Sequence, residues 1–196
     1  MSARVSDIMR TCYYHLRQIR SVRRSLTGDV ARSLVQSLIC SRLDYCNSLL
    51  FGISAKETKR LQSVLHAAGR LILRRGKHDH ITDGLRDTLH WLPVRERIHF
   101  KICLMMFRCS RTQAPMYLVK YYLPISEVSS RRRLRSAACG LLQVPLNRTS
   151  SYGERSFSTV GPRCWNSVPV GIRDPTMTLS QFKSVLKTHL FHVTYY

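Results

Sequence analysis

The sequence predicts a mainly α-helical protein, on three observations. Apolar residues recur at intervals of three and four along five stretches, the spacing that lines one face of a helix. Helix-start signals precede four of those stretches: Thr27, the boxes Ser54-x-x-Glu57 and Thr178-x-x-Gln181, and Pro93. A single segment, Leu141–Leu146, reads as a short strand, and Pro145 restricts it to a sheet edge. The expected architecture is an N-terminal three-helix bundle, then a helical region with a small irregular or β segment, and a C-terminal helix.

The first helix is expected over 5–24. Val5, Ile8, Cys12, Leu16 and Ile19 make its core stripe, and Arg10, Arg17, Arg20 and Arg24 fall on a different side. Thr27 caps the second, where Val30, Leu34, Leu38, Tyr45 and Leu49 continue an apolar face up to Gly52. The third follows the Ser54 box and carries Leu61, Val64, Leu65, Ala68, Leu71 and Ile72 as far as Gly76. These three define a basic helical bundle over 1–77. A buried helical middle region is expected over 78–123. It holds a short helix from Thr82 to His90 and a longer one after Pro93, with Val94, Ile98, Ile102, Met105 and Cys109 on one face and Phe100, Leu104 and Phe107 on a second. Residues 124–137, with Arg131, Arg132, Arg133 and Arg135 among serines, read as an exposed basic linker. Residues 138–196 read as a small C-terminal region. Its stretch Ser158–Pro175 is irregular around an anchoring Trp165, and it ends in a helix with Leu179, Phe182, Leu186 and Leu190 on one face.

The chain has 196 residues, of which 44% are hydrophobic, enough for a folded core. Lys and Arg number 32 against 11 Asp and Glu, a net charge of +21. Residues 1–77 hold 15 basic and 4 acidic side chains, residues 78–127 hold 7 and 5, and residues 128–196 hold 10 and 2. Two basic lobes flank a nearly neutral middle. Such an excess repels itself unless a polyanion neutralises it, which makes RNA or DNA the expected partner. Arg predominates, which favours bidentate phosphate contacts. The longest apolar run is Ile102–Phe107, six residues, far short of a membrane span, so no membrane partner is expected. Seven cysteines without a CxxC pair, and a charged Met1–Arg10, place the expected site inside the cell, nuclear or cytoplasmic and not secreted.

Polymerase and nuclease metal sites need clustered carboxylates. The best cluster is Asp79, Asp83 and Asp87, and its simpler reading is helix-end charge paired with Arg86. His78 and His80 lack a third ligand at metal spacing, and the stretch from Gly69 to Lys77 lacks the Ser or Thr of a phosphate loop. Hence no catalytic residue, no metal set and no cofactor is expected. The binding signals are three basic patches: the stripe Arg10, Arg17, Arg20, Arg24; the group Arg70, Arg74, Arg75, Lys77; and the run Arg131, Arg132, Arg133, Arg135. Phosphate contacts of this kind position a protein and carry no base information.

Six phrases, in order, carry a resemblance. They are Arg42-Leu43-Asp44-Tyr45-Cys46-Asn47-Ser48-Leu49-Leu50, Leu61-Gln62-Ser63-Val64-Leu65-His66-Ala67-Ala68-Gly69-Arg70-Leu71, and His90-Trp91-Leu92-Pro93-Val94-Arg95-Glu96-Arg97-Ile98. Then come Tyr152-Gly153-Glu154-Arg155-Ser156-Phe157, Pro162-Arg163-Cys164-Trp165-Asn166-Ser167-Val168-Pro169, and the run from Phe182 to Phe191. Together they resemble the C-terminal end of the reverse transcriptase of non-LTR retrotransposons (LINE elements) of the chicken-repeat-1 and Rex type. The resemblance implies a thumb-like role for residues 1–77, gripping a template–primer duplex by its backbone. In that family an endonuclease, fingers and a palm with Tyr-x-Asp-Asp precede this region. No such tetrad occurs here, so no catalytic residue carries over and the chain is expected not to be an enzyme by itself. The expected function is nonspecific binding of template–primer RNA or DNA. The alternative is a translated remnant or interaction module without activity of its own, with self-association through apolar faces left uncovered.

Overall fold

The computed structural model describes residues 1–127, 140–146, 149 and 153–196. The fold is mainly helical: α1 (Ser2–Val22), α2 (Gly28–Val35), α3 (Ser41–Asp44), α4 (Ala55–Ile72), α5 (Val94–Ser110), α6 (Met116–Val119), α7 (Phe157–Asn166) and α8 (Leu179–Tyr195). It divides into two compact units, Met1–Ile98 with Tyr195, and His99–Thr194 with Tyr196. The division falls inside α5, within the expected middle region 78–123. Among the described residues no helix is long and apolar enough to cross a membrane.

In the first unit α1 and α4 lie side by side and parallel. Ser2 Oγ donates to Glu57 Oε1 at 3.1 Å, Tyr13 and Ser63 share a hydroxyl contact at 3.0 Å, and Arg23 reaches the carbonyls of Leu71 and Ile72 at 2.9 Å. The expected stripes meet here: Val5, Cys12, Leu16 and Ile19 on α1 are buried, as are Leu61, Val64, Leu65, Ala68, Leu71 and Ile72 on α4. Each buried aliphatic side chain contributes about 1.5–3 kcal/mol relative to exposure. Thr27 caps α2 through the amide of Val30, and Ser54 caps α4 through the amide of Glu57. The Ser54 box closes on one side alone, because the Glu57 carboxylate turns instead to Ser2 and to Arg60, 2.8 Å away.

The second expected helix is corrected. Its buried face is Ala31, Val35, Ile39 and Leu43, one position on from the expected set, and Val30, Tyr45 and Leu49 stand exposed. Residues Gln36–Cys40 form a π-turn between α2 and α3. Ser37 and Ser41 each donate to the carbonyl four residues back, competing with the backbone ladder. The helix stops at Asp44, and Cys46 takes a left-handed φ of 52° well before Gly52. The expected short helix over 82–90 is present over 82–88, closing in the π-helical turn Gly84–Thr88.

Three of the resembling phrases interlock in this unit. Asp44 accepts from Arg97 Nη1 at 2.8 Å, and Arg97 Nε also holds the Leu92 carbonyl at 2.8 Å. Gln62 accepts from the Val94 amide at 2.9 Å and donates to His66 Nε2 at 2.8 Å. Burial, then Arg70 and His80, hold the His66 pKa below its usual 6.5, which keeps the imidazole neutral and able to accept.

The second unit has an aromatic core. Phe107 and Phe182 stack at 4.3 Å, Trp165 stacks on Phe182 at 5.9 Å, and Tyr122 meets Trp165 edge-on at 5.9 Å. Ile102, Met106, Leu142, Leu186 and Leu190 complete it. The reading of Ser158–Pro175 as irregular is corrected: Phe157–Asn166 is helical with Pro162 inside. Gly161 allows close approach in this helix, since a Cβ there would fall 2.6 Å from Met106 Sδ. The expected strand Leu141–Leu146 is corrected to a single antiparallel bridge between Pro124 and Leu142. Leu142 has its other edge taken by a side chain: Asn166 accepts from its amide and donates to its carbonyl, both at 2.8 Å. Thr178 and Gln181 form a complete capping box on α8.

Candidate functional site

Because α1 and α4 run parallel, their C-terminal ends come together, and with them the negative ends of two helix dipoles. Cations are favoured at such ends by about 0.3–1 kcal/mol each. There a groove of about 430 Å³ opens, lined by Arg20, Arg23, Arg24, Arg70, Leu71, Arg74, Arg75, Gly76 and Lys77. Seven of the nine are cationic and none is acidic. Arg20 and Arg24 of the first expected basic patch thus share one surface with all four residues of the second.

The end of α4 determines how these side chains are presented. Arg75 donates its amide to the Arg70 carbonyl at 2.9 Å, and Arg74 sits between them with φ 54°. This is the closure in which glycine usually occupies the left-handed position. A side chain there costs roughly 1–2 kcal/mol.

Arg23 anchors the groove. It is 9% exposed and donates to the carbonyls of Leu71 and Ile72, which end α4, and to that of Leu26, each at 2.9 Å. Burial, then the neighbouring Arg74, lower its pKa from the usual guanidinium value. Arg74 Nη2 also reaches the Leu26 carbonyl, at 3.4 Å. Arg70 and Arg75 pin the following loop through the carbonyls of Asp79 at 2.9 Å and His80 at 2.6 Å. Among the described residues, the side chains of Arg20, Arg24 and Lys77 have no hydrogen bond or ion pair and are exposed. The groove therefore divides its labour: Arg23, Arg70 and Arg75 build it, while Arg20, Arg24 and Lys77 keep all their donors for a ligand.

Arg23 is the residue that spacing should have found. It continues the buried stripe Cys12, Leu16, Ile19 at the next interval of four, where a core residue is due.

The rest of the first patch is placed elsewhere. Arg17 is exposed one turn before Arg20 and does not line the groove. Arg10 lies about 15 Å along the helix from Arg20. It pairs with Asp7 at 2.7 Å, so its charge already has a partner on the same helix. Arg131, Arg132, Arg133 and Arg135, with Cys139 and Tyr152, lie outside the described residues.

The acidic cluster has other engagements. Asp79 accepts from the Gly76 amide at 2.7 Å, and Arg86 lies 3.6 Å from Asp83 and 2.7 Å from Asp87. Among the described residues no three His, Cys, Asp or Glu gather where they could hold a metal ion. The buried thiols are poor nucleophiles: burial pushes the Cys12 and Cys40 pKa up to about 11 and that of Cys164 up to about 12.

No family model, curated protein or solved structure matches the chain.

Proposed function

We propose that this chain is a thumb-bearing C-terminal part of a non-LTR retrotransposon reverse transcriptase, and that its first unit holds a template–primer duplex by backbone phosphates. The observation that carries this reading is the groove where two helix C-termini place seven cations with no acidic residue in the lining. Arg20, Arg24 and Lys77 make the direct contacts, with Arg74 beside them, and Arg17 extends the basic surface along α1. The reading assigns no chemical step to the chain, because no position matches the family's Tyr-x-Asp-Asp.

Binding to a 20-mer RNA–DNA hybrid, read by fluorescence anisotropy, should weaken by about 10²–10³ between 50 and 200 mM salt, as release of counterions from about five phosphates requires. Replacing Arg17, Arg20 and Arg24 by Gln should weaken binding alike for every duplex sequence. Salt-independent affinity, or an unaltered triple variant, overturns the reading.

A second reading, an interaction module that self-associates, draws on Tyr45 and Leu49, which are 70% and 56% exposed. Light scattering on a sizing column separates it from a monomer.

A further inference from the structure

The groove is assembled against the stability of the unit that carries it. Arg74 occupies a left-handed position that glycine fills without strain. Arg23 is buried with carbonyl partners alone, so its hydrogen bonds are met while its charge has no carboxylate beside it. Arg74 stands next to it, close enough for the two like charges to act on each other. Arg20, Arg24 and Lys77 surround them with donors that no described residue uses. Helix dipoles offset part of this repulsion, and they end within a turn.

We propose that a compact polyphosphate seated in this groove supplies the counter-charge that the first unit lacks, so that anion binding and the stability of the α4 end form one linked equilibrium. The proposal rests on the groove of the preceding section and adds that the occupant completes the fold. Arg20, Arg24 and Lys77 hold the phosphate oxygens, and Arg74 relays the neutralisation to Arg23. A ligand that binds the folded state alone raises its stability in proportion to the logarithm of its concentration. Single charges such as chloride can screen the groove but cannot bridge its cations.

The test is thermal unfolding of the full chain at low ionic strength, followed by helical circular dichroism. Inorganic tripolyphosphate is compared with sodium chloride at matched ionic strength. Tripolyphosphate should raise the midpoint by about 5 °C, and chloride by less than half of that. Arg74→Gly should melt above the parent without anion and lose most of the tripolyphosphate shift. The pair Arg20→Gln with Arg24→Gln should keep its helix content and lose the shift. An equal rise in both salts, or an Arg74→Gly chain that melts below the parent, overturns the proposal. Hydrogen exchange over 70–76 in the unaltered chain gives a reading that needs no variant: tripolyphosphate should slow it, and an unchanged rate also overturns the proposal. A chain that grips the hybrid with a steep salt dependence yet gains nothing from tripolyphosphate removes the linkage and leaves the duplex reading standing. Stabilisation by tripolyphosphate without hybrid binding supports the linkage and removes the duplex reading.

Discussion

Helices α4 and α5 end in the same way and put that end to opposite uses. After α4, the amide of Arg75 returns to the carbonyl of Arg70 across a left-handed Arg74; after α5, the amide of Gln113 returns to the carbonyl of Arg108 across a left-handed Thr112 (φ 54° at both). In the second unit the neighbouring cation is consumed by the fold. Arg111 lies 5.5 Å over the Phe107 ring and donates to the carbonyls of Met177, at 2.8 Å, and Pro175. In the first unit Arg23 is spent in this manner, while Arg20, Arg24 and Lys77 remain uncommitted around it. The lesson is that charge count says little about binding. A cation serves the fold when carbonyls or rings surround it, and is available to a ligand when other cations do.

The comparison can be broken most forcefully through the aromatic core on which the α5 end leans. Phe182→Ala should cost about 3–5 kcal/mol, read as a lower urea midpoint, because it removes the ring stacked on both Phe107 and Trp165. A loss below 1 kcal/mol would mean that the stack does not hold the second unit together. The middle-sized effect compares the two arginines directly. Arg111→Gln should cost about 1–2 kcal/mol through its lost carbonyl bonds and ring contact, whereas Arg24→Gln should stay within about 0.5 kcal/mol of the parent. Equal losses would erase the distinction between consumed and available cations. The smallest effect belongs to the first unit and depends on pH. His66 has a lower pKa folded than unfolded, so the unfolded chain takes up a proton first as pH drops below about 6.5. Stability should therefore be lost as pH falls from 6.5 towards the folded value, and His66→Gln should flatten that part of a melting-temperature profile.

Much of the helical framework was legible because single-face periodicity is unambiguous when the other face is charged. The stripes of α1 and α4 are of that kind, and Phe182, Leu186 and Leu190 on α8 follow the same rule. Periodicity failed in α2, where Val30, Leu34 and Leu38 compete with Ala31, Val35 and Ile39. Two adjacent apolar ladders fit one helix, and packing chose the one that the π-turn at Gln36–Cys40 carries on to Leu43. It failed again in α7, where Gly161 and Pro162 signal a break by local propensity and are buried in the helix instead. Two basic patches were legible as residues, but not as one groove, because nothing in their spacing states that α1 and α4 run parallel. The inward turn of Arg23 was the part most open to a closer reading.

The parallel pairing also has a temporal side. The bonds joining α1 to α4 link residues 48 to 55 positions apart. A nascent chain growing at about 5–20 residues per second would hold α1 for several seconds before its partner emerges. During that interval the apolar stripe of α1 is without its natural cover, so the first unit cannot close until the last turn of α4 has been made.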